Sequence, residues 1–326
     1  MPRSPLRKLL AASLTTLVLT AAFACGKKDD SSGTKPADPK ADPKADPTAT
    51  APKPEAPKPD EAPKYSPEAA KKYAGELAAC SSDVGCKAFD ALVSFGPQAA
   101  PELIAAATDA SAKIEGRRLA AKALGKAKVA DAGPKLVEAA NKLEDSLAQG
   151  DFYEAAGECG GQATFDALIA EFAKAAASTD DGREIPLRQG LRKFPSETLA
   201  WAKAQLPKAK EQVPIADLVD DTATSAEAVQ ALLPATKDPM AKNRLAKKAI
   251  ELGASDPKLW DVFLASLASK DQYDRSDAGN FLAPVAAKVP ADKKAKFVEL
   301  LKKALEGPKD PMLQGGLEKA LKTLGG

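Results

Sequence analysis

Between about Ala91 and Glu171 the apolar and polar positions spell one short pattern three times. Each copy is a helix of small residues, a glycine-marked turn, and a second helix that opens on an aliphatic pair. Those pairs are Leu103-Ile104, Leu136-Val137 and Leu168-Ile169, spaced by 33 and then 32 residues. The clearest copy runs Leu119-Ala-Ala-Lys-Ala-Leu-Gly125, then Ala132-Gly-Pro-Lys-Leu-Val137. Apolar residues three and four apart give each helix one apolar stripe. A two-helix unit of this length cannot bury that stripe alone, so it must lean on its neighbours. The pattern predicts an all-α chain arranged as an α-solenoid of stacked antiparallel helix pairs.

Helix starts extend the reading in both directions. Ser66-Pro67 combines an N-cap with proline at the first helical position, and Asp238-Pro239, Asp256-Pro257 and Asp310-Pro311 repeat the device. Thr224-Ser-Ala-Glu227 has capping-box spacing. From Asp220 an aspartate falls every 18 residues, at 220, 238, 256, 274, 292 and 310. A four-turn helix with a short loop is about 18 residues and a pair about 36. Residues 66–210 are therefore expected to hold the regular repeats and 211–326 a less regular continuation, with about fifteen helices in all. At about 8–10 Å between packed axes, about seven pairs would make an arc about 60–70 Å long. Trp260, Phe263, Leu264 and Leu267 share one helix face, which makes Trp260 core.

The repeats are preceded by segments of another kind. In residues 1–24, Arg3, Arg7 and Lys8 stand before an apolar run from Leu9 to Ala24, the layout of an export signal. Residues 25–65 follow with Ala-Asp-Pro-Lys repeating at Ala37 and Ala41; the stretch 27–64 holds nine prolines, eight lysines and eight acidic residues. Proline removes helical donors and mixed charge stays solvated, so a disordered tether is expected. Stretched, roughly 40 such residues reach on the order of 100 Å.

Composition narrows the function. Apolar content is 44% while aromatic content is 5%, so alanine and leucine must do most of the packing. The formal charge of +2 arises in the leader: without leader and tether, 36 basic and 37 acidic residues remain. A near-neutral domain with no basic run is a poor partner for nucleic acid. Histidine is absent. That excludes Ser-His and Cys-His nucleophile pairs and the commonest metal ligand, and leaves only carboxylate or Ser-Lys chemistry.

The residues Leu-Gly, then Ala/Gly-Pro-x-Leu-Val/Ile, resemble HEAT-like repeats of the phycobilisome-lyase type, most closely over residues 84–177. The resemblance implies a binding scaffold. A few relatives act on bilins or alkylated DNA, and an exported, near-neutral chain suits neither. The paired Asp and Arg of such repeats are sparse here, Asp109 and Arg117-Arg118 being the nearest equivalents, a departure that leaves the ladder between repeats unassigned. A tetratricopeptide array is the alternative for 220–326, though its aromatic signature is missing. Separately, Ala22-Phe23-Ala24-Cys25 resembles a bacterial lipoprotein signal, with Ala22 where that motif usually has Leu. The resemblance implies acylation of Cys25 and, with Gly26 following, an anchor at the outer membrane facing the periplasm. Ala22-Phe-Ala24 also fits an ordinary cleavage site that would release a soluble protein.

Three cysteines remain. Cys80 and Cys86 flank a short turn, and in an oxidising compartment a structural disulfide is expected there. Cys159 falls where earlier copies place Leu92 and Leu124, and reads as a small buried hydrophobe. Three cysteines without histidine and without Cys-x-x-Cys spacing make a poor zinc site. No metal and no cofactor are expected. Trp201 sits off the face of Leu199 and Leu206. It is either an interface anchor, if second helices line the concave surface, or half-buried at a repeat junction. Ser32-Gly-Thr-Lys35 has Ser-x-x-Lys spelling but lies in the tether. Asp180-Asp181 and Asp220-Asp221 read as loop and cap charges on a solvated edge. The expected function is a lipid-anchored scaffold that binds a protein or peptide partner in the cell envelope, without catalysis. The alternatives are an envelope spacer without a soluble ligand and a histidine-free hydrolase or lyase working with carboxylates.

Overall fold

The computed structural model describes residues 63–178, 182–307 and 310–326. The leader, Cys25, Ser32, Lys35 and Asp180-Asp181 lie outside them. Every regular element among the described residues is helical, with fifteen α-helices of eight residues or more and one of five. In chain order they are α1 (Pro67–Glu76), α2 (Lys87–Phe95), α3 (Ala100–Thr108), α4 (Ile114–Lys126), α5 (Gly133–Ala140), α6 (Ser146–Cys159), α7 (Gln162–Ala177) and α8 (Glu184–Leu191). The second half carries α9 (Pro195–Gln205), α10 (Val213–Thr222), α11 (Ala226–Gln230), α12 (Pro239–Glu251), α13 (Lys258–Leu267), α14 (Gln272–Leu282), α15 (Ala291–Leu305) and α16 (Pro311–Thr323).

Several helix starts follow their local chemistry. Ser66 is extended, its hydroxyl accepts from the Ala69 N–H at 3.1 Å, and Pro67 opens α1. Asp238 and Asp310 cap α12 and α16 in the same way, and each such cap is worth about 1 kcal/mol. The 18-residue aspartate series is not a series of caps, however. Asp220 lies within the last turn of α10, and Asp274 lies in the first turn of α14, whose cap is Asp271. The cap of α11 is Ser225, one residue after the expected Thr224, and its hydroxyl accepts from the Ala228 N–H at 3.3 Å.

Packing follows two alternating series. The even-numbered helices touch in unbroken succession from α2 to α16. The odd-numbered ones do so from α1 to α7, and again between α13 and α15. The aliphatic pairs explain the first odd run: Leu103 in α3, Leu136 in α5 and Leu168 in α7 are fully buried. Burying each such leucine contributes about 1.5–3 kcal/mol. The even series comes closer still where small residues meet. A Cβ built on Gly157 of α6 would stand 2.4 Å from the Gly190 carbonyl of α8, and one on Gly190 would stand 2.3 Å from the Tyr153 carbonyl.

The buried side chains form two cores. The first runs from Ala70 to Phe194 and takes in Leu218; the second runs from Ala202 to Ala320. Trp260, 4% exposed, belongs to the second and stands edge-on to Phe297, as its helix face predicts. Trp201 of α9 packs partly buried against both cores, edge-on to Phe172 at 5.8 Å between ring centroids.

Candidate functional site

A concavity of about 450 Å³ opens over α4 and α6 and is rimmed by Ser81, Ser82 and Asp83. Its floor is apolar, with Leu119 and Ala155 buried. Its walls are charged because each helix turns one polar stripe outward. Arg118, Lys122 and Lys126 recur every four residues along α4, so they form one row. Asp151, Glu154 and Glu158 form the facing row on α6. Arg118 pairs with Asp151, Lys126 reaches Glu158 at 3.8 Å, and Lys193, beyond the end of α8, reaches Glu158 at 3.4 Å and Glu154 at 3.9 Å. Lys122 meets Asp83 of the rim at 2.7 Å, and that hydrogen bond holds the Asp83 carboxyl below its ordinary value. The three bases of α4 keep between 44% and 49% side-chain exposure. Pairs this exposed contribute at most about 1 kcal/mol each. An incoming charged surface can exchange them for its own at little cost.

The rim is held by the cysteines that flank it. Cys80 and Cys86 are bonded, with 5.8 Å between their Cα atoms. The Cys86 sulfur also accepts from the Phe89 N–H at 3.3 Å, so the bridge ends in the cap of α2. Leu77 just before the turn is fully buried, which anchors the other side. Cys159 is free and 4% exposed at the end of α6. Burial, helped by the neighbouring Glu158 charge, pushes its thiol up to about 12, so it is a packed hydrophobe and a poor nucleophile.

A second charged cluster covers the contact between the two cores. Arg188 of α8 reaches Asp221 at 3.2 Å and Asp217 at 3.6 Å, both on α10. Arg192 reaches Asp221 at 3.2 Å. From the other side, Arg244 of α12 meets Asp217 at 2.5 Å and Lys247 meets Asp220 at 2.8 Å. Arg244 also stacks 4.8 Å over the Phe281 ring of α14. Burial pushes the Asp217 carboxyl up to about 6 against the pull of Arg244 and Arg188, with Asp221 and Asp220 adding to the rise. One expectation falls here. Asp220 and Asp221 are not solvated cap charges but ion-paired helix residues. The even-numbered series also carries a ladder of ion pairs between helices, at α4–α6, α8–α10 and α10–α12.

Asp109 does not belong to that ladder. Its carboxylate accepts from the Ser111 N–H and hydroxyl, which hold it below its ordinary value. Arg117 is buried, donates from Nε to the Ala107 carbonyl at 3.1 Å and lies 5.7 Å from the Phe152 ring centre. Among the described residues no three potential ligands are grouped to hold a metal, and no helix is long and apolar enough to cross a membrane. No family model matches the chain, and no curated protein does.

Proposed function

We propose that the chain is a docking scaffold for a protein or peptide partner and that the cleft over α4 and α6 is where the partner seats. The observation that carries this reading is the cleft itself: an apolar floor between two parallel rows of exposed, weakly paired charges on successive even-numbered helices. Such a surface recognises a partner by complementary charge, and its pairs are exchanged rather than broken on binding. In this reading the helices stack as antiparallel pairs in a HEAT-like solenoid. Glycine lets α6 and α8, and likewise α14 and α16 at Gly279 and Gly316, approach with almost no side chain between them. The odd-numbered helices are spaced mainly by leucines, Gly133 of α5 against Thr164 of α7 being a local close approach among them. A stack spaced more closely on one side curves toward that side, so the even-numbered helices are assigned the concave surface and Trp201 is not on it. The reading also includes acylation at Cys25 and a tether that concentrates the scaffold at the envelope membrane.

The test is a pair of charge reversals, Arg118→Glu with Lys122→Glu, in the full-length chain, with the partner captured by crosslinking in its own cells. The capture is expected to fall at least tenfold while helicity and melting temperature hold. Capture at the parental level by a folded variant would remove the cleft from the reading.

A further inference from the structure

We infer that the α8–α10 contact is a hinge between the two helical cores, and that Asp217, held from one side by Arg188 and from the other by Arg244, sets how far it opens. The apolar link there is thin. Among the described residues, the buried first core gains Leu218 past Phe194, the second starts at Ala202, and Trp201 is the partly buried apolar side chain packed on both. The odd-numbered helices add less support: α7 and α9 meet through the edge-on Phe172–Trp201 pair, and α9 with α11 and α11 with α13 make at most marginal contact among the described residues. What spans the contact instead is charge: Arg188 and Arg192 from α8, Asp217, Asp220 and Asp221 on α10, and Arg244 and Lys247 from α12, with Glu251 behind Lys247.

This cluster is paired but not fully satisfied. The Nε atoms of Arg188 and Arg244 are buried without a hydrogen-bond partner, and the Asp217 side chain keeps only 20% exposure. Removing an ionised carboxylate from water costs more than imperfect pairing returns. An opened contact would rehydrate Asp217 and both arginines at once. The sign follows from linkage. In the closed contact the carboxyl titrates near 6, and once hydrated it returns toward 3.8. Protons therefore bind the closed form better, and raising the pH through about 6 favours opening. A displacement of about two pKa units shifts that equilibrium by up to about 100-fold. High salt weakens the arginine pairs and favours opening in the same direction.

The experiment places two spin labels on non-natural residues at exposed Lys135 and Lys302, one on each core, in the full chain. We expect a narrow distance distribution at pH 5 that broadens at pH 7.5 and broadens further in molar salt. Asp217→Asn is expected to keep the pH 5 distribution at both pH values. Lys247→Met, which removes the partner of Asp220 and leaves Arg188 and Arg244 on Asp217, is expected to keep the direction of the parental pH response. A distribution in the unmodified protein that is unchanged between the two pH values overturns the hinge, and needs no variant to fold. A pH response that survives Asp217→Asn, or vanishes in Lys247→Met, overturns its assignment to Asp217. None of these outcomes depends on the cleft or on a partner.

Discussion

Helix α8 meets two neighbours in two different ways. Toward α6 it offers Gly190, and the two backbones approach until a single added carbon would strike the Tyr153 carbonyl. Toward α10 it offers Arg188, joined by Arg192 at its C-cap, and their long side chains reach carboxylates on that helix. The first contact is rigid because it is made of backbone and leaves nothing to rearrange. The second can be weakened by pH and salt because it is made of charges. One eight-residue helix thus closes one core and opens onto the next. Continuity of helix packing along the even-numbered series need not mean uniform stiffness.

The largest effect is expected from breaking the rigid side. Gly190→Val should cost on the order of 3 kcal/mol or more, since the Tyr153 backbone it would strike cannot turn aside as a side chain can. Hydrogen exchange should show protection lost across α6 and α8 first, with α14 and α16 retained. Next comes the charged side. Arg188→Ala should cost about 2–3 kcal/mol at pH 7.5, somewhat below the value for a fully buried pair because its side chain is 15% exposed. The loss should shrink at pH 5, where Asp217 is neutral in the folded protein and no longer needs the guanidinium. Chemical denaturation at the two pH values checks both the size and the sign.

Trp201→Ala should follow at about 2 kcal/mol, because the ring packs on Phe172 and on both cores. A clear fall in melting temperature is expected. An unchanged one with lost partner capture would return Trp201 to the role of an exposed anchor. The smallest effect belongs to the cleft. Arg118→Ala should cost less than about 1 kcal/mol, as befits a surface pair with both side chains at least 40% exposed.

The sequence makes the packing of the first repeats visible and hides both contacts of α8, for physical reasons. Close approach demands glycine and alanine at fixed places, so the copies from Ala91 to Glu171 repeat legibly, and Leu103, Leu136 and Leu168 are buried as their spacing requires. The disulfide site follows from two cysteines on one turn. Ion pairs between helices join residues far apart in sequence, 33 positions for Arg118 and Asp151 and 27 for Lys247 and Asp220, and no local pattern announces them. Asp220 and Asp221 are the plainest case. Two acids in the last turn of a helix oppose the helix dipole, so local rules place them in a loop or cap. Arg188, Arg192 and Lys247, brought up by neighbouring helices, override that preference. The cleft was hidden for the same reason: its two rows sit on helices that become neighbours only in the folded chain.

The docking reading is tested most directly by a photoreactive residue carried at Lys122 on the cleft wall, compared in living cells with one at exposed Lys135 on α5. The account predicts one stoichiometric protein adduct from Lys122 and none from Lys135. No adduct at Lys122, or the same adduct from both positions, would contradict it.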